Sequence, residues 1–187
     1  MNGVDSQFEK LNRLKDRMPS NSSVAVHRAL DDYLEERFGH KFRSNATFTC
    51  GSKVVARSYS KARKIFHVFP IGEFKYAWSE VMEDAFFYFD SAGTPTGRHY
   101  IEKVTGRKAP ANSRHSILVD VSSADWGDQV AEFLQKEGKR FYRDTDLESA
   151  IQDFPNHEVM ISADSYYILQ YGTPFARKVL DHLKTRK

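Results

Sequence analysis

Glu158 is the residue of this 187-residue chain whose type and position most directly suggest chemistry. It lies in the stretch NHEVMISADSYYILQYG, residues 156–172, at the start of an apolar run that predicts a buried strand. A carboxylate at such a point can act in acid–base or charge-stabilising catalysis. It can also be an ordinary charge at a strand end, because strand ends meet water, and the sequence alone favours that simpler interpretation.

Nucleophilic and metal chemistry have weaker signals in the sequence. Cys50 with His67 as its base would form a thiol nucleophile, although a buried thiol beside a turn at Gly51 explains this cysteine more simply. The seven histidines form no pair at helical or hairpin spacing with a cysteine or carboxylate partner, so we predict no metal site. The stretch GTPTG lacks the Lys-Ser/Thr that follows a phosphate-binding loop and predicts a simple turn.

Three stretches resemble, in their order along the chain, the layout of ADP-ribosyltransferases. They are IFHVFPIGE, YAWSEVMEDAFFYF and NHEVMISADSYYIL: a strand with a histidine, a serine-bearing strand before an aromatic-rich helix, and a late strand opened by a glutamate. The resemblance implies an enzyme that uses NAD. It implies that His67 or Arg57 binds NAD and that Ser79 supports the site. It also implies that Glu158 stabilises the oxocarbenium-like transition state as nicotinamide leaves.

These residues need elements that position them, and the hydrophobic pattern predicts helices at the start of the chain. Apolar residues at helical spacing predict two helices. The first carries Phe8, Leu11, Leu14 and Met18 and stops before Pro19. The second begins after serine N-caps, ends at Gly39 and carries Val26, Leu30, Leu34 and Phe38.

The period changes to two after residue 40, which predicts strands. ATFTC and KVVARSY flank Gly51 and Ser52 and predict a hairpin, and KIFHVFP predicts a strand that Pro70 and Gly72 end. FKYAWSEVMEDAFFYFD predicts a strand that leads into a helix capped by Ser79.

The last third of the chain predicts alternating strands and helices. SILVDV and RFYRD predict short strands on either side of a helix that ends at Gly138. Thr145 and Glu148 predict a capping box, HEVMIS and SYYILQY predict two strands, and Thr173 precedes a closing helix. We therefore predict one α+β domain over residues 1–187. A helical N-terminal part (1–40) precedes a body (41–187) with a mixed, mainly antiparallel sheet and packed helices.

Aromatic residues are abundant, at 13% of the chain, and large rings suit a protein contact surface. The stretch VAVHRALDDYLEERFGHKF, followed by short strands, resembles the opening of small phage neck or tail-completion proteins. The abundant aromatic residues, this resemblance and the lack of a clear catalytic signature favour a non-enzymatic protein without a cofactor. Such a protein would be one component of a ring or other complex of protein subunits. The predicted contact residues are Phe74, Tyr76, Trp78, Tyr166, Tyr167 and Tyr171.

Basic residues cluster although the net charge is only +3. Acid-free stretches at 53–64 and 105–116 predict a basic patch that could meet phosphate, so weak, non-specific nucleic-acid binding is a third hypothesis. The patch consists of Lys53, Arg57, Lys61, Arg63, Lys64, Arg107, Lys108 and Arg114.

The location of the protein is predicted from what the sequence lacks. A single cysteine cannot form an intrachain disulfide, the N-terminal residues do not resemble a signal peptide, and no apolar run approaches a membrane span. We expect a cytoplasmic protein, or a virion protein if its source is a phage, without a membrane partner.

Overall fold

The chain folds as helices around an antiparallel sheet, and a computed structural model describes residues 8–12, 15–18, 23–60, 64–89, 101–108 and 121–185. In chain order the elements are β1 (Phe8–Asn12), α1 (Val24–Phe38), α2 (Phe42–Asn45), β2 (Thr47–Thr49), α3 (Lys53–Tyr59), β3 (Phe66–Trp78), α4 (Ala85–Phe89), α5 (101–105), α6 (Val121–Glu137), a 3-10 turn (Gly138–Arg140), α7 (Leu147–Gln152), β4 (Val159–Gln170) and α8 (Pro174–Lys184).

β4 is the central strand of the sheet. β3 pairs with β4 along its whole length, from Phe66 opposite Gln170 to Trp78 opposite Val159. Because β3 occupies one edge of β4, the two shorter strands share the other edge: β2 pairs with residues 159–161 and β1 with residues 165–169. All four strands pair antiparallel, which confirms the predicted α+β class.

Successive side chains at the start of β4 belong to two different apolar cores, as expected when strand residues alternate between faces. Met160 packs in the larger core with residues of α1 and α6. Val159 and Ile161 pack in a second core with Trp78 and with Ala150 of α7. Both faces of the sheet are therefore covered at this end, where Glu158 precedes β4.

α1 confirms the clearest sequence prediction. The Ser23 hydroxyl accepts a hydrogen bond from the Val26 amide at its N-terminus, and Gly39 ends the helix with a left-handed φ of 66°. Its apolar face packs on α6, and the two helices approach closely where a Cβ on Gly127 would lie 2.6 Å from the Cβ of Ala25. A glycine is needed in α6 for this approach.

The predicted first helix is wrong where the structure describes it. Phe8 and Leu11 lie in β1 instead, while Leu14 falls outside the described residues. A spacing of three between two apolar residues fits a helix, but β1 pairs with the backbone of β4, whose amides and carbonyls need partners. Tertiary pairing therefore outweighs the local pattern.

The predicted hairpin around Gly51 is only half correct. β2 forms as a strand, but KVVARSY forms helix α3, because the Ser52 hydroxyl accepts a hydrogen bond from the Val55 amide and caps a helix start.

The prediction that Pro70 and Gly72 end the next strand is wrong. β3 continues to Trp78 through a register shift between Ile71 and Phe74, where Gly72 has a φ of 76°. Pro70 is tolerated because, within the described ranges, the outer edge of β3 pairs with no other strand, and proline suits an edge strand. β3 leads into helix α4 as predicted, but α4 begins only at Ala85, so the predicted cap at Ser79 is wrong.

The last third contains three differences from the predictions. Asp146, with a φ of 58°, is the N-cap of α7 and makes no side-chain cap bond, so the predicted capping box is wrong. HEVMIS and SYYILQY form one strand, β4, and RFYRD contributes only the isolated bridge of Arg143 to Trp78. SILVDV and GTPTG lie outside the described residues, except Val121, which is in α6. The closing helix is confirmed, with Thr173 as its N-cap.

Among the described residues, no helix is long and apolar enough to cross a membrane.

Candidate active site

A cavity of about 820 Å³ opens between α3, the start of β3 and the end of the sheet where β4 begins. Its walls include Glu158, Arg43, Asp84 and Cys50, which are far apart in the sequence, and also His67, which pairs with Leu169 towards the other end of β4. Several ionisable side chains that converge in one concave, largely apolar space are typical of an active or binding site.

The Arg43–Glu158 ion pair is the central polar feature of the cavity wall. The Arg43 Nη1 atom of α2 donates to the Glu158 Oε1 atom over 2.6 Å, and the side chains are only 8% and 18% exposed. Burial raises the pKa of the Glu158 carboxyl above its ordinary value, while the Arg43 cation opposes that rise by favouring the ionised form. Glu158 is therefore a carboxylate held in a low-dielectric wall by one strong cation.

Asp31 of α1 fixes the backbone that carries Arg43. Its Oδ1 atom accepts hydrogen bonds from the amides of Arg43 (2.7 Å) and Ser44 (3.2 Å), and its Oδ2 atom accepts the Ser44 hydroxyl. α2 has only four residues, and its N-cap, Lys41, makes no side-chain cap bond, so Asp31 supplies the missing acceptor. His27 extends the network, with its Nε2 atom 3.0 Å from the Ser44 hydroxyl.

Arg17 places a second guanidinium group at the cavity. Its Cζ atom lies 3.9 Å from the centre of the Phe48 ring, and that of Arg43 lies 4.6 Å from the same ring. Burial and the neighbouring Arg43 cation lower the pKa of Arg17. The Nε atoms of both arginines are buried without a hydrogen-bond partner among the described residues. Two neighbouring cations in the wall of one cavity suit an anion.

Asp84 brings a second carboxylate close to Glu158. The Glu158 amide donates to the Glu83 carbonyl over 2.8 Å, which places residue 84 beside the start of β4. The Asp84 carboxylate accepts a hydrogen bond from the hydroxyl of Tyr59 on α3, and its charge contributes to the raised pKa of Glu158. A smaller cavity of about 180 Å³ adjoins the first and is lined by Asp84, Tyr59 and Asn156 among others.

Two of the three catalytic residues implied by the resemblance line this cavity, but the strand register places them towards opposite ends of β4. Glu158 and His67 both line it, and burial lowers the pKa of His67, which favours its neutral form. Ser79 does not join them: it is buried, and its hydroxyl accepts hydrogen bonds from the amides that follow it, including that of Met82. Arg57 is exposed on α3 and does not line the cavity.

Cys50 lines the cavity but lacks the properties of a nucleophile. Its thiol donates to the Ser52 carbonyl, and burial raises its pKa, which disfavours the reactive thiolate.

The predicted contact residues divide between core and surface. Trp78 and Tyr166 are core residues and cannot form a contact surface, because their rings are packed in the second core, and Tyr76 is half-buried against it. The remaining three side chains are exposed by 38% to 41%, and they are Phe74, Tyr167 and Tyr171.

The predicted basic patch is partly neutralised. Arg107 forms ion pairs with Asp125 and Glu132 of α6. The other described members are exposed, and they are Lys53, Arg57, Lys64 and Lys108. Three further members lie outside the described residues, and they are Lys61, Arg63 and Arg114.

Sequence reasoning missed most of the side chains that surround Glu158. One signal was present in α1, where His27 and Asp31, four residues apart, interrupt an otherwise apolar buried face. Polar residues at buried helix positions need partners, and this pair marks the place where α2 docks. Arg43, Arg17 and Asp84 had no comparable signal.

Comparisons of the chain with known proteins found no match. No family model matches the chain, no curated protein is significantly similar to it, and no solved structure matches its fold. Within the described part of the chain, no group of three or more His, Cys, Asp or Glu side chains is arranged to hold a metal ion.

Proposed function

We propose that the protein is an enzyme that binds NAD in the large cavity and transfers its ADP-ribosyl group, with Glu158 as the catalytic carboxylate. The observation that carries the proposal is the buried Arg43–Glu158 pair in the wall of a cavity of about 820 Å³. A cavity of this volume falls within the range of about 300–1,000 Å³ that small-molecule sites occupy.

The polar groups of the cavity suit the chemistry of a dinucleotide. Arg17 and Arg43 line the cavity and bring positive charge to a pyrophosphate, which guanidinium groups bind well. The neutral ring of His67 offers a flat surface to a base or nicotinamide ring. Bound NAD supplies a glycosidic bond from ribose C1′ to nitrogen whose leaving group is neutral nicotinamide.

Glu158 has the properties needed to assist that bond cleavage. A carboxylate in a water-poor wall stabilises positive charge more strongly than one in solvent. The charge that develops at C1′ as nicotinamide leaves is of this kind. Arg43 holds the Glu158 carboxyl group in place before the charge appears, so little reorganisation is needed in the transition state. Nicotinamide release from NAD, compared between the wild type and Glu158→Gln, tests the proposal.

A second candidate is the non-enzymatic assembly component, for example a phage neck or tail-completion protein. The observation that favours it is the set of exposed rings on β3 and at the end of β4, where Phe74 is 41% and Tyr167 is 39% exposed. Exposed aromatic side chains are typical anchors of protein interfaces. The two functions are compatible, because these rings do not line the cavity.

A further inference from the structure

We infer that Asp84 is the general base that takes the proton from the attacking nucleophile, so that the two carboxylates of the site have separate roles. Glu158 faces the charge that develops on the substrate, and Asp84 activates the acceptor. This inference rests on the proposed function and adds to it a catalytic residue and the class of acceptor, a protonated nucleophile such as water or a hydroxyl group.

The position of Asp84 is the first argument. Its side chain lines both the large cavity and the smaller cavity of about 180 Å³ beside it. The backbone hydrogen bond from Glu158 to the Glu83 carbonyl, 2.8 Å long, keeps the two acids adjacent. A small nucleophile in the smaller cavity would contact Asp84 on the way to a substrate carbon that faces Glu158.

The different partners of the two carboxylates are the second argument. Glu158 is bound by the Arg43 cation at 2.6 Å, which fixes the orientation of its carboxyl group and occupies one of its oxygens. Asp84 is bound by the phenol of Tyr59. Burial and this hydrogen bond raise the pKa of Tyr59 above its ordinary value, so the phenol remains a neutral donor that orients Asp84. Two acids with different environments are typical of a divided acid–base role.

The proposed step balances without an oxidant or a reductant. Asp84 takes the proton of the nucleophile's O–H group as its oxygen bonds to ribose C1′. The bond from C1′ to the nicotinamide nitrogen breaks, and its electron pair stays on that nitrogen, so nicotinamide leaves neutral. The proton on Asp84 then passes to solvent, and the carboxylate is restored for the next reaction.

Asp84→Asn tests the role, with sodium azide as an alternative nucleophile. Azide is an anion and needs no base, so it should bypass Asp84. We expect Asp84→Asn to lower the rate of nicotinamide release by about 100-fold in buffer. Azide should raise the rate of this variant by at least about tenfold. Azide should not rescue Glu158→Gln. Asp144→Asn, an exposed acid away from the cavity, is the matched control and should keep the wild-type rate.

Two further measurements test the role of Asp84 independently of the nicotinamide-release rate of Asp84→Asn. In the protein without NAD, carbon-13 NMR titration should show a lower pKa for Glu158 in Asp84→Asn, because a neighbouring negative charge has been removed. If Asp84→Asn does not fold, Tyr59→Phe at a largely exposed position should lower kcat by about tenfold with KM unchanged, because Asp84 loses its orienting donor.

The outcomes separate this inference from the proposed function. No nicotinamide release by the wild type contradicts the proposed function and the role of Asp84 with it. Wild-type release together with an unaffected Asp84→Asn rate, or a lost rate that azide does not restore, contradicts the role of Asp84 alone. An unchanged pKa of Glu158 in Asp84→Asn, or a wild-type kcat in Tyr59→Phe, contradicts it as well.

Discussion

At the scale of single residues, the burial of Arg43 and Glu158 needs an explanation. Removing each charge from water costs several kcal/mol, and the attraction between the two at 2.6 Å offsets only part of that cost in typical proteins. Two apolar side chains of similar volume would fill the same space without this cost. Stability alone therefore does not account for the pair, and the role towards a charged substrate that we propose would account for it.

The stability of variants should reveal this cost. Glu158→Leu leaves the Arg43 cation buried and unpaired, and we expect it to lower the free energy of unfolding by about 3–5 kcal/mol. Arg43→Met combined with Glu158→Leu removes both charges and should return stability to within about 1 kcal/mol of the wild type, or above it. Urea unfolding at equilibrium measures both. A double variant as unstable as the single one would show that the pair stabilises the fold.

At the scale of elements, the sequence predicted what is encoded locally. Both ends of α1 are fixed by neighbouring residues, a serine cap and a glycine in left-handed conformation, so its limits could be predicted. β1 could not be predicted, because its conformation depends on pairing with residues 165–169 of β4. These residues come more than 150 positions later in the chain. α3 was mistaken for a strand because its two adjacent valines favour strands and its cap, Ser52, resembled a turn residue.

The candidate site divides in the same way. Glu158 and His67 were identified from their place in strands that resemble those of a known enzyme family. Arg43 was not identified, because it lies 115 residues before Glu158 and only the docking of α2 against the start of β4 brings them together. The buried pair His27 and Asp31 on α1 indicates that something docks there, but no local pattern shows that this docking brings Arg43 to Glu158.

The docking of α2 leads to a prediction about Asp31. Asp31→Ala removes the acceptor of the Arg43 and Ser44 amides, and we expect a loss of about 2 kcal/mol in the free energy of unfolding. Asp32→Ala, at the next and exposed position of α1, is the matched control and should change stability by less than about 0.5 kcal/mol. Denaturant titration of both variants checks this. Equal stabilities would mean that Asp31 does not hold α2.

At the scale of the whole molecule, the exposed rings predict self-association or a partner. We expect protein in its native setting to sediment as a species larger than the 21.6 kDa chain, with about 1,000 Å² or more buried at each contact. Replacing Phe74, Tyr167 and Tyr171 with serine should shift it towards the monomer. Val54→Ser, at an exposed apolar residue of α3, should not. A native monomer, or a complex that the triple variant leaves intact, would contradict the assembly function.

The rate of nicotinamide release from NAD is the most direct test of the proposed transferase activity. We expect measurable release by the wild type and a loss of at least about 100-fold in Glu158→Gln, because the charge that stabilises the transition state is gone. The amide of glutamine still accepts a hydrogen bond from Arg43, so the variant should fold, which circular dichroism checks. Glu73→Gln, an exposed residue on β3, is the matched control and should keep the wild-type rate. Absence of release by the wild type, or equal release by folded Glu158→Gln, would contradict the account.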